Sequence, residues 1–206
     1  MLDIWFVVAY KVNYPSTLLG HLDLMYCLER AIRIHNLPVN HTEGFNPQIK
    51  ISSMDPIPLG TTAKNELLFI SFKEQVNPKL IINLNRHLPQ GMAIKKAVTL
   101  KTSKKSFINK ISNTIYSYGF TDSGDAKKAL SLLQSQSNIN FQKKDKTTLL
   151  NLQDFINNSY IKDNMLIISI IYKKERPFPI KAIHNLLIEN HLNFKEFTKL
   201  GCHFNR

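Results

Sequence analysis

Cysteine is nearly absent from this chain: Cys27 and Cys202 are the only two among 206 residues. No CxxC or CxxxCxxC run exists, so neither a structural zinc nor an iron–sulfur cluster is expected to be bound by this chain alone, and no other cofactor is indicated. Two thiols so far apart also make no secreted disulfide framework. Long apolar runs are missing as well. Nothing approaches the roughly 18 residues that span a bilayer, and the opening MLDIWFVVAY carries Asp3 and no basic leader. A soluble, cytoplasmic protein with no membrane partner is the expectation.

Acidic residues are the other shortage, 15 against 27 Lys and Arg, for a net charge of +12. The excess is uneven: residues 1–100 hold 10 basic and 7 acidic residues (+3), residues 101–206 hold 17 and 8 (+9). Such a surface attracts polyanions, RNA or DNA first among them; the alternative is a solvated, lysine-rich exterior. With 43% hydrophobic residues against 20% charged, the chain can bury a core and fold.

Periodicity gives the order of elements. Ile4 to Tyr10 (IWFVVAY) is a continuous apolar run suited to a central strand. Pro15, Ser16 and Thr17 precede a helix predicted from Leu18 to His35, with Leu18, Leu22, Leu24, Met25, Leu28, Ala31 and Ile32 inward. Asp23, Tyr26, Arg30 and Arg33 fall opposite. Pro38, Gly44 and Asn46-Pro47 mark a loop from 36 to 47, and Gln48 to Ser53 alternates as a half-exposed strand. A strand over 66–72, a helix from Asn77-Pro78 to Leu88 with Leu80, Ile81 and Leu84 inward, and a strand over 91–99 complete a βαββαβ order. The second half reads the same way: strand 112–120, helix 123–136, a short strand 139–143, strand 165–172, a helix opened by Pro177 and Pro179, and strand 193–204. Residues 145–163 are the least legible stretch, an Asn- and Lys-rich excursion with room for an extra strand or a turn of helix. The predicted fold is α+β, two tandem ferredoxin-like (βαββαβ) sandwiches over 1–100 and 106–206, joined by the polar stretch Lys101 to Lys105.

No recognised catalytic motif is present, so binding is expected ahead of catalysis. His21 is the one catalytic candidate, in the first turn of the helix within its apolar arc. There it acts as an acid–base group or as a buried structural histidine. His35 and His41 flank the following loop and could extend it into a cluster, although no spacing matches a metal motif. Asp23, Arg30 and Arg33 form a face able to meet a phosphate or a partner protein, or simply water. The loop Glu43-Gly44-Phe45-Asn46-Pro47, with Lys50 beyond it, could stack on and clamp a nucleotide; a tight turn that plugs Phe45 into the core is the alternative. Lysine pairs at 104–105, 127–128, 143–144 and 173–174, interleaved with Tyr116, Tyr118, Phe141 and Tyr172, would make an RNA platform if they shared a sheet face.

An ordered series runs through the first half: HLDLM from His21, Glu29-Arg30-Ala31 then Arg33, Leu37-Pro38, the GFNP of Gly44 to Pro47 after Glu43, Lys50-Ile51-Ser52, Pro58-Leu59-Gly60, Glu66, Leu84-Asn85 and Leu88-Pro89 with Gly91. It resembles the radical SAM-associated, or radical SAM-linked, bacterial family, found fused to or encoded beside cobalamin-binding radical SAM proteins. The resemblance covers residues 5–100 well. Gly20, Tyr26, Thr42 and Gln48 depart from the family's usual Ser, basic residue, Ser and His. It implies an accessory or substrate-presenting role for a radical SAM partner. Tandem ferredoxin-like domains are also similar to the RAMP superfamily of RNA-binding proteins, which makes RNA the expected ligand. Two alternatives accompany this: a metal-independent RNA endonuclease of RAMP type, which lacks support from a Gly-rich C-terminal loop since only Gly201 stands there, and a protein-binding scaffold.

Overall fold

The computed structural model describes residues 3–143, 146–173, 175 and 177–205. They form a mixed α+β protein of two compact units, Met1–Lys110 and Ile111–Arg206. All of the strand pairs within these units are antiparallel.

The first unit runs β1 (Ile4–Val12), α1 (His21–Ile34), β2 (Ile51–Ser53), β3 (Thr62–Phe72), α2 (Pro78–Asn83), β4 (Met92–Thr99) and a short α3 (Lys104–Ile108). Strand β1 lies between β4 and β3, and β2 pairs with β3. Alternation along β1 sends Phe6, Val8, Tyr10 and Val12 into the core beneath α1 and α2, where Leu28, Ile32, Ile81 and Leu84 meet them. Helix α1 starts three residues later than its periodicity predicts. A 3-10 turn at Ser16–Leu18 and an extended Gly20 precede it, and this break in phase leaves Leu18 exposed (65%); Leu22 (68%) is exposed because, within α1, it falls on the arc of Tyr26 and Arg33, away from Leu24, Leu28 and Ile32. Leu80 is also exposed: the six-residue α2 buries Ile81, and the 3-10 turn that follows it buries Leu84.

Of the expected linker 101–105, residues 101–103 lie outside any helix or strand and Lys104 and Lys105 open α3. Ser103 caps α3 through a bond from the Ser106 N–H at 3.1 Å, and the boundary between the units falls after Lys110.

The second unit runs β5 (Ile111–Gly119), α4 (Ser123–Ser135), β6 (Asn138–Lys143), β7 (Lys146–Asn151), β8 (Ile156–Lys162), β9 (Met165–Ile171), α5 (Lys181–Glu189) and β10 (Glu196–Phe204). Its main sheet has the order β10-β5-β9-β8. The predicted strand at 139–143 exists but pairs only with β7, as a separate hairpin; β8, from the least legible stretch, takes its place beside β9. The second core gathers Tyr118, Leu133, Leu166, Ile168, Ile183, Leu187 and Phe197. Among the described residues no helix is long and apolar enough to cross a membrane.

Candidate functional site

Two constellations form on the first unit, and the predicted site residues divide between them.

The first is the loop between α1 and β2. Its stem is a short ladder: the Lys50 N–H donates to the Asn40 carbonyl (2.8 Å), the Thr42 N–H to that of Gln48 (2.8 Å), and His41 bridges Ile49. The Gln48 N–H also donates to the Thr42 hydroxyl at 3.0 Å. Asn40 anchors the stem to the sheet, its amide nitrogen 2.9 Å from each of Asp3 Oδ1, Ser71 Oγ and the Phe72 carbonyl. Glu43, Gly44, Phe45, Asn46 and Pro47 project beyond this stem, all exposed, and Gly44 adopts φ +121°, a backbone state that favours glycine. The Phe45 ring is wholly solvent-exposed, so it is no core plug. A single exposed ring is ordinary on a protein surface, but at the tip of a pinned loop this one is held where a flat group could stack on it.

Beside the stem lies a cleft of about 430 Å³. Ile32, Leu37, Val39 and Ile49 line it together with Arg33, Asn36 and His41. An apolar lining beside a guanidinium and an imidazole suits a planar group carrying an anion. Arg33 is 3.6 Å from Glu29 while its side chain stays half exposed, and Arg30 is exposed on the same face. Lys50 turns to Asp3 (3.3 Å), so part of its charge is already matched.

The second constellation lies under the start of α1. His21 Nε2 and the Ser53 hydroxyl share a hydrogen bond of 3.0 Å, which brings helix and β2 together. Asp23 serves the helix itself, its carboxylate accepting the Gly20 N–H at 3.1 Å. In register, Ser53 opposes Leu68 and Tyr10 opposes Glu66, so Ser53, Tyr10 and Glu66 share the helix-facing side of the sheet. Glu66 and Tyr10 are wholly buried, and Glu66 Oε1 accepts the Leu67 N–H at 3.0 Å. Sequence reasoning passed over Ser53, Tyr10 and Glu66 as site residues. The available signal was Glu66 itself, which stands in phase with Leu68, Ile70 and Phe72 and therefore points inward.

The three histidines do not share one set of partners: His21 meets Ser53, His35 packs edge-on against His87 with ring centroids 5.0 Å apart, and His41 stays exposed at the loop stem. Among the described residues no group of three or more His, Cys, Asp or Glu is placed to hold a metal ion. The thiol of Cys27 is pushed up, first by burial and then by Asp23.

Among the described residues, three of the four aromatics that a platform on the second unit would use pack on its core. Tyr118 is wholly buried among His184, Phe194 and Phe197, Tyr116 stacks on Phe197 at 5.6 Å, and Phe141 packs against the same core. The alternation of β5 sends both tyrosines to the helix side. Lys127 and Lys128 are exposed on α4, with Lys128 paired to Asp125 at 3.1 Å, while Lys144 and Lys174 lie outside the described residues.

No curated protein matches this chain. It is similar to the crystal structure of an unknown protein from Galdieria sulphuraria, at 12% identity over 97% of this chain and 99% of that one, with a TM-score of 0.29. The model of a family described as an uncharacterized protein conserved in bacteria (DUF2344) matches residues 6–178, and the chain belongs to that family.

Proposed function

We propose that this chain is an RNA-binding accessory module that works in the cytoplasm, requires no cofactor of its own and presents its RNA to a radical SAM partner. The observation that carries the RNA reading is the wholly exposed Phe45 ring on its pinned loop, beside the cleft with Arg33 and His41. Unpaired RNA bases are captured by stacking on aromatic faces while cationic side chains meet the phosphates, and the net charge of +12 favours the encounter. The ferredoxin-like, RAMP-like reading of the two units is supported by their strand orders, with the first strand of each unit central and its last strand at one side. The partner reading rests on the ordered series from His21 to Gly91. Helix α1 supports it by leaving Leu22, Tyr26, Arg30 and Arg33 on its exposed side, a mixed apolar and cationic face suited to a protein contact.

Fluorescence anisotropy with a labelled single-stranded RNA at low salt tests the ligand. Binding that weakens as salt rises, and that weakens about tenfold in Phe45→Ala, is the expected result. No binding at low salt would overturn the proposal.

A second reading is a metal-independent ribonuclease, favoured by the 3.0 Å contact between His21 and Ser53, which has the geometry of a base beside a hydroxyl. Cleavage of labelled RNA in EDTA, lost in His21→Ala and Ser53→Ala, would replace the first reading with this one.

A further inference from the structure

The side of the first unit's sheet turned away from α1 and α2 is apolar. Between the buried Phe6, Val8 and Tyr10 of β1, the half-buried Trp5, Val7 and Ala9 point the other way. Register places Phe69 and Leu67 of β3 beside Val7 and Ala9, and Val98 and Lys96 of β4 on their other flank. Val98 and Lys96 are exposed.

Helix α3 lies over part of this face. The Lys104 ammonium sits 5.0 Å from the Trp5 ring centroid and 5.3 Å from that of Phe69, and it donates to the Ser52 hydroxyl. Phe107 meets Phe69 edge-on at 5.8 Å. Phe69 is wholly buried and Trp5 half-buried, so the lysine covers the one ring of this pair that would otherwise offer a π-face; Lys101 and Lys105, close by in sequence, are exposed.

We propose that this face is a second nucleic-acid surface, on which a base of single-stranded RNA stacks against Trp5 while Lys104 leaves the ring to meet the adjoining phosphate. The occupant is identified by charge complementarity: an apolar face with Trp5 half-exposed, carrying Lys96 by register and Lys104 by contact, matches a strand of flat bases on a polyanionic backbone. The inference rests on the RNA reading above and extends it to a different face.

Trp5 is the only tryptophan, so its emission reports this face alone. Titration of the full chain with oligouridylate at low salt should quench that emission in step with binding seen by anisotropy. Lys104→Ala, which uncovers the ring, should keep or deepen the quench while lowering the slope of log affinity against log salt by about one. Trp5→Ala should weaken binding roughly tenfold; because it also removes a strand side chain, the Lys104 variant supplies the reading that a folding defect cannot mimic. RNA binding that depends on Phe45 but leaves Trp5 emission and the Lys104→Ala slope unchanged would overturn this surface and leave the RNA reading intact. Absence of any binding would overturn both.

Discussion

His184 illustrates how a single residue ties packing to pH. Its ring contacts Phe197 at 4.4 Å, Tyr118 at 5.4 Å and Phe194 at 5.4 Å, so the imidazolium has little water around it. Burial, and then the nearby Lys181, lower its pKa to about 4. The folded chain therefore favours neutral His184, whereas the unfolded chain protonates near the ordinary value of about 6.5. Between those values the unfolded state binds more protons, so stability rises with pH there and falls as pH drops from 6.5 towards 4. Thermal melts should lose roughly 5 °C or more across that window, and His184→Phe should flatten the loss. Burial likewise raises the Tyr118 hydroxyl well above its ordinary value, so alkaline titration should show this phenol ionising above the usual tyrosine range. The same scale holds the aromatics of the second unit: Tyr116 and Tyr118, at alternate positions of β5, pack on its core and not with the lysine pairs.

Among the elements, β4 is fixed by two residues outside it. The Asn85 side chain donates to the Ile94 carbonyl (2.9 Å) and accepts the Ile94 N–H (2.7 Å), pairing with the strand as a neighbouring backbone would. Asn85→Ala should cost on the order of 2 kcal/mol in denaturant melts, since both backbone groups lose their partner. Gly91 enters β4 at φ +91°, its carbonyl accepting the Asn13 N–H at 2.7 Å, and an added Cβ would lie 2.3 Å from the Asn13 oxygen. Gly91→Ala should therefore destabilise by about 3 kcal/mol, measured the same way.

Strong apolar periods made β1, β3, β9, α1 and α5 legible in the sequence. Their starts were less so. Gly20 resets the helix phase through backbone conformation, which no hydrophobic pattern records, and this turns Leu18 outward; Leu22, inside α1, lies on the helix's own polar arc. The loop of the candidate site was legible from Gly44, Asn46 and Pro47, but its stem was not, because Asn40 anchors it through residues as remote as Asp3 and Phe72.

For the whole molecule, the repeated order of strands and helices was visible, while the inserted β6–β7 hairpin was not. A hairpin of polar and apolar residues in a half-exposed setting has the same alternation as a sheet strand, so β6 was given the place that β8 fills. Charge belongs to this scale too. If the excess of basic residues serves RNA contact, affinity should fall steeply between 50 and 200 mM salt, by an amount set by the number of phosphates met. If it only solvates the surface, a mild dependence or none should appear.

Salt-dependent anisotropy of a single-stranded RNA, run side by side on the native chain and on Phe45→Ala, joins the loop to the charge in one measurement. Steep salt dependence is expected in both proteins, with an affinity about tenfold lower in the variant at every salt concentration, since the lost contact is stacking and not charge. Equal affinities for the two proteins, or no binding by the native chain at 50 mM salt, would contradict that expectation.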